Sequence, residues 1–275
     1  MPEIDRWGIS DRFTIGIRPI CAVAQITATA LALASIGTPS RAAELRLVSA
    51  AAMQSVFKEI AGDFERGYGH RLSISYGTVG AVTQRIRDGE PADFVIGSSL
   101  SMPVLVKQGK ITAESLTPIC TTAIGMVVPS GAPRLVIESV DDFKRALLAA
   151  RVIVYADPAR GGAAGVHVAR VIERLGLAEQ LKAKVKLAAG GDITEVTLVI
   201  ASGEGAFGMT QVSEIVEKPS AQFVGLLPDE LQNYTVFVGG IPSSATRSEA
   251  VTAFIEFLQS PRALAVIKAK GMQAN

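Results

Sequence analysis

The sequence predicts an α/β protein whose strands run mostly parallel, with helices on both faces. Three observations carry this. Short apolar runs alternate with amphipathic helical patterns in the order β-α-β-α-β from residue 45. A second series of the same kind opens at residue 152, and no long Gly/Ser stretch separates the two. Two lobes joined by short crossovers fit this better than independent domains on a linker.

The pattern starts at Ala43, because residues 1–42 read as a signal peptide. Arg6, Arg12 and Arg18 precede a 22-residue uncharged run, 19–40, and Ser40-Arg41-Ala42 is a small-x-small cleavage site. Cleavage after Ala42 and a periplasmic location are expected. An uncleaved anchor is the alternative, but Gln25, Thr27, Thr29 and Ser35 dilute the apolar run.

The first strand is 45–49, and after Ser49-Ala50-Ala51-Ala52 a helix places Met53, Val56, Phe57, Ile60 and Phe64 at helical spacing until Gly67 and Gly69 stop it. Leu72, Ile74 and Tyr76 alternate as a second strand. Gly77-Thr78-Val79-Gly80 turns the chain into a helix holding Val82 and Ile86, and 94–96 is a third strand ending in Gly97-Ser98-Ser99. An apolar stretch, 123–128, runs into Pro129, and Ser139 with Asp142 opens a helix that ends near Ala150. Next come a strand at 152–155, a loop over 157–162 and a helix at 166–175 stopped by Gly176. Segments 185–187, 193–200, 206–209 and 223–227 supply further alternating elements, and a strand at 234–238 leads out. Two helices, 249–258 and 261–270, close the chain, the second opened by Pro261.

Composition narrows the partners. The leader removes four of 27 Lys/Arg and three of 26 Asp/Glu, which leaves 23 of each and no polybasic face for nucleic acid. Cys21 leaves with the leader, so Cys120 stands alone as a small buried hydrophobe without a disulfide. His70 sits in the polar turn Tyr68-Gly69-His70-Arg71 and reads as exposed, and His167 reads as structural. Two isolated His make no metal motif, so no metal or cofactor is expected.

One local design recurs at 49–52, 77–80 and 160–165: a strand ends, small residues follow and a helix starts. Unpaired N–H groups and the positive end of the helix dipole suit an anion there, and small side chains let it approach. Strand-end loops line the ligand crevice of open α/β sheets.

The order of these motifs resembles the molybdate-binding-protein branch of periplasmic solute-binding proteins, receptors of ABC importers. The resemblance rests on Ser49-Ala50-Ala51-Ala52, Pro91-Ala92-Asp93-Phe94, Ala156-Asp157-Pro158 and Phe257-Leu258-Gln259-Ser260-Pro261. It implies a two-lobed type II binding-protein fold, each lobe a mostly parallel sheet flanked by helices, joined by two crossover strands near Ala123 and Gln232. Lobe one would be 43–123 with 232–275, and lobe two 124–231. A monomer would close on a small anion and deliver it to an ABC permease at the inner membrane. The chain departs from the family pattern at Ala52, Val79 and Thr210, which stand where Ser, Ser and Tyr are usual. The ligand-binding set read from loops and resemblance together is Ala52, Met53, Thr78, Val79, Gly80, Ser98, Ser99, Arg160, Gly161, Gly162, Thr210 and Gln211. Arg160 is the expected bidentate partner of a carboxylate or other anion. The chain resembles aconitate isomerases more weakly, which implies as the alternative an isomerase of a small di- or tricarboxylate. His167, Tyr76 or Glu195 would then be its base.

Overall fold

A computed structural model describes residues 42–133, 135–190, 194–245 and 248–275. The expected signal peptide, apart from Ala42, lies outside the described residues.

The chain opens as anticipated: β1 (Glu44–Ala50), α1 (Gln54–Tyr68), β2 (Arg71–Gly77), α2 (Val79–Arg87) and β3 (Phe94–Ser98). β2, β1 and β3 pair in parallel, with Leu47 opposite both Ile74 and Phe94. The Asp93 of Pro91-Ala92-Asp93-Phe94 has a structural task at this seam. Its carboxylate accepts the Arg46 N–H at 2.8 Å and the Arg46 guanidinium at 3.2 and 3.1 Å, which fixes the register of β1 on β3. Gly67 continues α1 instead of stopping it. Gly69 alone ends the helix, in the left-handed conformation at φ 71°, its N–H on the Glu65 carbonyl at 3.1 Å.

After α3 (Met102–Lys107), β4 (Thr117–Pro129) begins six residues before the apolar stretch that announces it. Thr117, Pro118, Thr121 and Thr122 hide its first half from a hydrophobicity pattern. Then follow α4 (Val140–Ala149), β5 (Val152–Ala156), α5 (Ala163–Arg174), α6 (Ala178–Leu181), β6 (Val185–Ala188), α7 (Glu195–Ser202), β7 (Ala206–Gln211), α8 (Val212–Ile215) and β8 (Ala221–Leu226). The chain ends with β9 (Tyr234–Gly240), α9 (Glu249–Leu258), α10 (Pro261–Ala269) and β10 (Gln273–Ala274). Helix α5 starts at Ala163, three residues before the first large apolar side chain, because Gly162 and small residues form its first turn.

The strand order is β2-β1-β3-β9-β4-β7-β5-β6, with β8 and β10 also on β4. β4 binds the halves together. Its residues 117–123 pair antiparallel with β9, and its residues 124–127 pair antiparallel with β7. β5 is parallel to β7 and β6 to β5, so each end of the sheet is parallel and the middle antiparallel.

Separate cores flank the two ends. On one, Phe64 and Phe94 meet Phe254 edge-on at 5.3 and 5.7 Å. On the other, Phe143 and Phe207 pack at 6.3 Å among Ile153, Val168 and Leu181. Cys120 is fully buried 3.3 Å from the Met272 sulfur and 3.5 Å from that of Met53, and burial pushes its thiol up to about 12. His70 departs from expectation: it is buried, not exposed. Its Nδ1 accepts the Ala43 N–H at 3.3 Å and its ring lies 6.2 Å from that of Phe64, so it anchors the start of β1.

Candidate functional site

A cavity of about 200 Å³ lies where β1, β2, β5 and β7 end, lined by Ala50, Gly77, Ala156 and Gln211. Four helices of eight residues or more, α1, α2, α5 and α7, start at its wall through Gln54, Val79, Ala163 and Glu195. Their N-terminal N–H groups and dipoles make it an anion-favouring enclosure.

Of the residues chosen from sequence, Ala52, Thr78, Val79, Gly162, Thr210 and Gln211 line this cavity. The others lie elsewhere. Met53 is wholly buried in the apolar core. Ser98 exchanges hydrogen bonds with Ser101, its N–H on the Ser101 Oγ at 3.0 Å, and the Ser99 N–H donates to the Val236 carbonyl at 2.9 Å. The exposed Arg160 guanidinium donates to the Ala189 carbonyl at 2.9 Å and does not reach the wall. Gly80 and Gly161 close the enclosure: the Gly80 N–H donates to the Gly161 carbonyl at 3.0 Å, and the Thr78 hydroxyl to the Arg160 carbonyl at 2.6 Å. A Cβ on Gly80 would stand 2.7 Å from the Arg160 oxygen and 2.8 Å from the Gly161 Cα, so only glycine permits this contact.

Of the bases considered, Tyr76 and Glu195 are on the wall, whereas the His167 Nε2 is bound at 2.7 Å to the Leu231 carbonyl. Burial pushes the Tyr76 phenol up to about 12, so it stays a hydrogen-bond donor. Glu195 faces a second acid, Glu214, absent from the sequence reading. Burial first, and Glu214 second, push Glu195 up to about 8, although its own backbone and the Thr210 hydroxyl oppose the shift. Glu214 is raised too, by burial, against the hydrogen bonds it takes from Thr210 and from the Gln211 N–H.

Burial raises both acids, so the pair holds a proton more tightly than free carboxylates do. Glu214 accepts both donors, which favours its carboxylate. The Thr210 hydroxyl gives its proton to Glu214. Thr210 thus sits beside both acids of the pair. Two lysines, Lys58 and Lys218, line the same cavity, and neither ammonium is paired among the described residues.

Ser55, Ser213 and Glu214 escaped the sequence reading. One signal was there: Gln211 caps α8 and Glu214, three residues on, receives its N–H, so 210–214 repeats the strand-turn-helix design seen three times elsewhere.

Residues 45–273 match the family described as bacterial extracellular solute-binding protein. The chain belongs to that family. Among similar proteins, an aconitate isomerase from a Pseudomonas species is 31% identical over 254 residues, covering 89% of this chain and 94% of the other. A molybdate-binding protein of Azotobacter vinelandii is 28% identical over 246 residues, covering 88% and 94%. The structure of the Azotobacter vinelandii periplasmic molybdate-binding protein matches with a TM-score of 0.68 at 22% identity, over 83% of this chain and 98% of that one. The fold is therefore the α/β periplasmic-binding-protein fold of this solute-binding family, as the motif order implied.

Proposed function

We propose that this member of the solute-binding family is a cofactor-independent isomerase of a small di- or tricarboxylate. The observation that carries the reading is the Glu195–Thr210–Glu214 arrangement inside an enclosure otherwise built for anions. Isomerising an unsaturated acid requires a base to take a proton from the carbon next to a carboxylate and an acid to return one elsewhere. Glu214 is the base, receiving the proton as the C–H pair moves into the carbon framework. Glu195 is the acid, and the Thr210 hydroxyl passes the proton back between them after turnover. Lys58, Lys218, the Tyr76 hydroxyl and the helix N-termini hold the charge that develops on the substrate carboxylate. A relative acting on aconitate supports this substrate class.

Three acids on the wall, Glu195, Glu214 and Glu217, disfavour a compact dianion such as molybdate, which wants donors on every side, as do the missing hydroxyls at Ala52 and Val79. The second reading is capture of a small anion for an ABC permease, which the family match favours. Both readings use an exported periplasmic chain, cleaved after Ala42. In both, lobe one (43–123 and 232–275) and lobe two (124–231) close by a hinge, the contact of Thr78 and Gly80 with the 160–161 loop marking the closed state. The test is conversion of cis-aconitate to its trans isomer by the purified chain. Turnover that disappears in Glu214→Gln while binding persists supports the isomerase; binding without turnover in the wild type supports the receptor.

A further inference from the structure

Among the described residues, the buried side-chain oxygens without a hydrogen-bond partner are the Ser55 Oγ, the Ser213 Oγ and the Gln211 Oε1. All three residues line the one cavity. They come from different elements, the first turn of α1, helix α8 and the end of β7, and are 6%, 0% and 5% exposed. A buried polar atom left unpaired costs stability, and folded proteins leave few of them. Their convergence on a single wall is explained by a ligand group that pairs with them.

We propose that Ser55, Ser213 and Gln211 form a subsite that binds one carboxylate of the ligand. Each serine hydroxyl gives a donor. Gln211 holds the Thr235 hydroxyl at 3.2 Å through its amide end. Turning the amide over keeps that contact, with Thr235 donating to the oxygen, and sends the NH2 group into the cavity. Two hydroxyls and an amide match the lone pairs of a planar carboxylate, with Lys58 one turn along α1 from Ser55 as counter-charge. The N-termini of α2 and α5, at Val79 and Ala163, are left for a second carboxylate, so the ligand carries at least two. This assignment rests on the reading of the cavity as a carboxylate site.

The test is calorimetric titration of the wild type, Ser55→Ala, Ser213→Ala and the double variant with trans-aconitate, alongside molybdate, and thermal unfolding of each without ligand. The expected loss of aconitate affinity is about tenfold or more per hydroxyl. Because the hydroxyls have no protein partner, ligand-free Tm stays level or rises. Unchanged aconitate affinity in the double variant, or a lowered ligand-free Tm with affinity intact, overturns the subsite. A wild type that takes molybdate, or neither probe, instead of aconitate overturns the carboxylate reading beneath it.

Discussion

Replacing Glu195 by Gln isolates the proton held in the cavity. Glu195 sits at about 8 in the folded chain against an ordinary 4.5, so between those pH values the folded state binds a proton that the unfolded chain has released. Stability conferred by such a group is present at low pH and is lost as pH rises, by about 1.4 kcal/mol per pH unit. Over the full window the loss approaches about 5 kcal/mol, which for a domain of this size is of the order of 10 °C in Tm. Glu214, raised by burial as well, adds a slope of the same sign. Gln mimics the neutral acid in shape and never ionises. Urea unfolding of both proteins from pH 5 to 9 is therefore expected to give matching stabilities near pH 5. The curves then diverge, the variant becoming the more stable as pH approaches 8. Subtracting the profiles removes the titrating groups that do not interact with Glu195. Parallel profiles would refute the assignment of the proton to Glu195.

Arg160→Ala is expected to change ligand affinity less than threefold, because its guanidinium is spent on the Ala189 carbonyl outside the cavity; isothermal titration measures it. Gly80→Val places branched carbon where the Arg160 oxygen and the Gly161 Cα now stand, at 2.7 and 2.8 Å from the first added atom. It should hold the enclosure ajar and weaken ligand binding tenfold or more while leaving the unfolding midpoint of the free protein within a few degrees. A binding constant equal to the wild type's would show that this contact does not close the site.

The sheet was legible because its periodicities are local. Leu45 and Leu47, the α1 stripe through Phe64 and the Ser139 cap of α4 each announce an element from a few neighbours. Where an element depends on distant packing, the pattern failed. The threonines of β4 look like loop because the neighbours β9 and β10 that make them strand are more than 100 residues away. His70 looked exposed because its turn is polar, yet a partner 27 residues earlier, the Ala43 N–H, draws it inside. The site was half legible. Backbone turns at Ala52, Val79 and Gly162 are written in small residues, and they do line the cavity. Which polar side chain faces inward is not written. Arg160, long and charged beside a glycine loop, drew attention, whereas Ser55, Ser213 and Glu214 look like ordinary helix residues until the fold brings α1 and α8 to one wall.

Catalysis is tested by incubating the purified chain with cis-aconitate in deuterated water and following the substrate by proton NMR. Growth of the trans isomer is expected, with deuterium entering the carbon next to a carboxylate, and neither event in Glu214→Gln. Saturable binding of cis-aconitate by the wild type with no isomer formed and no deuterium incorporated would contradict it, and would leave a receptor that holds its ligand unchanged.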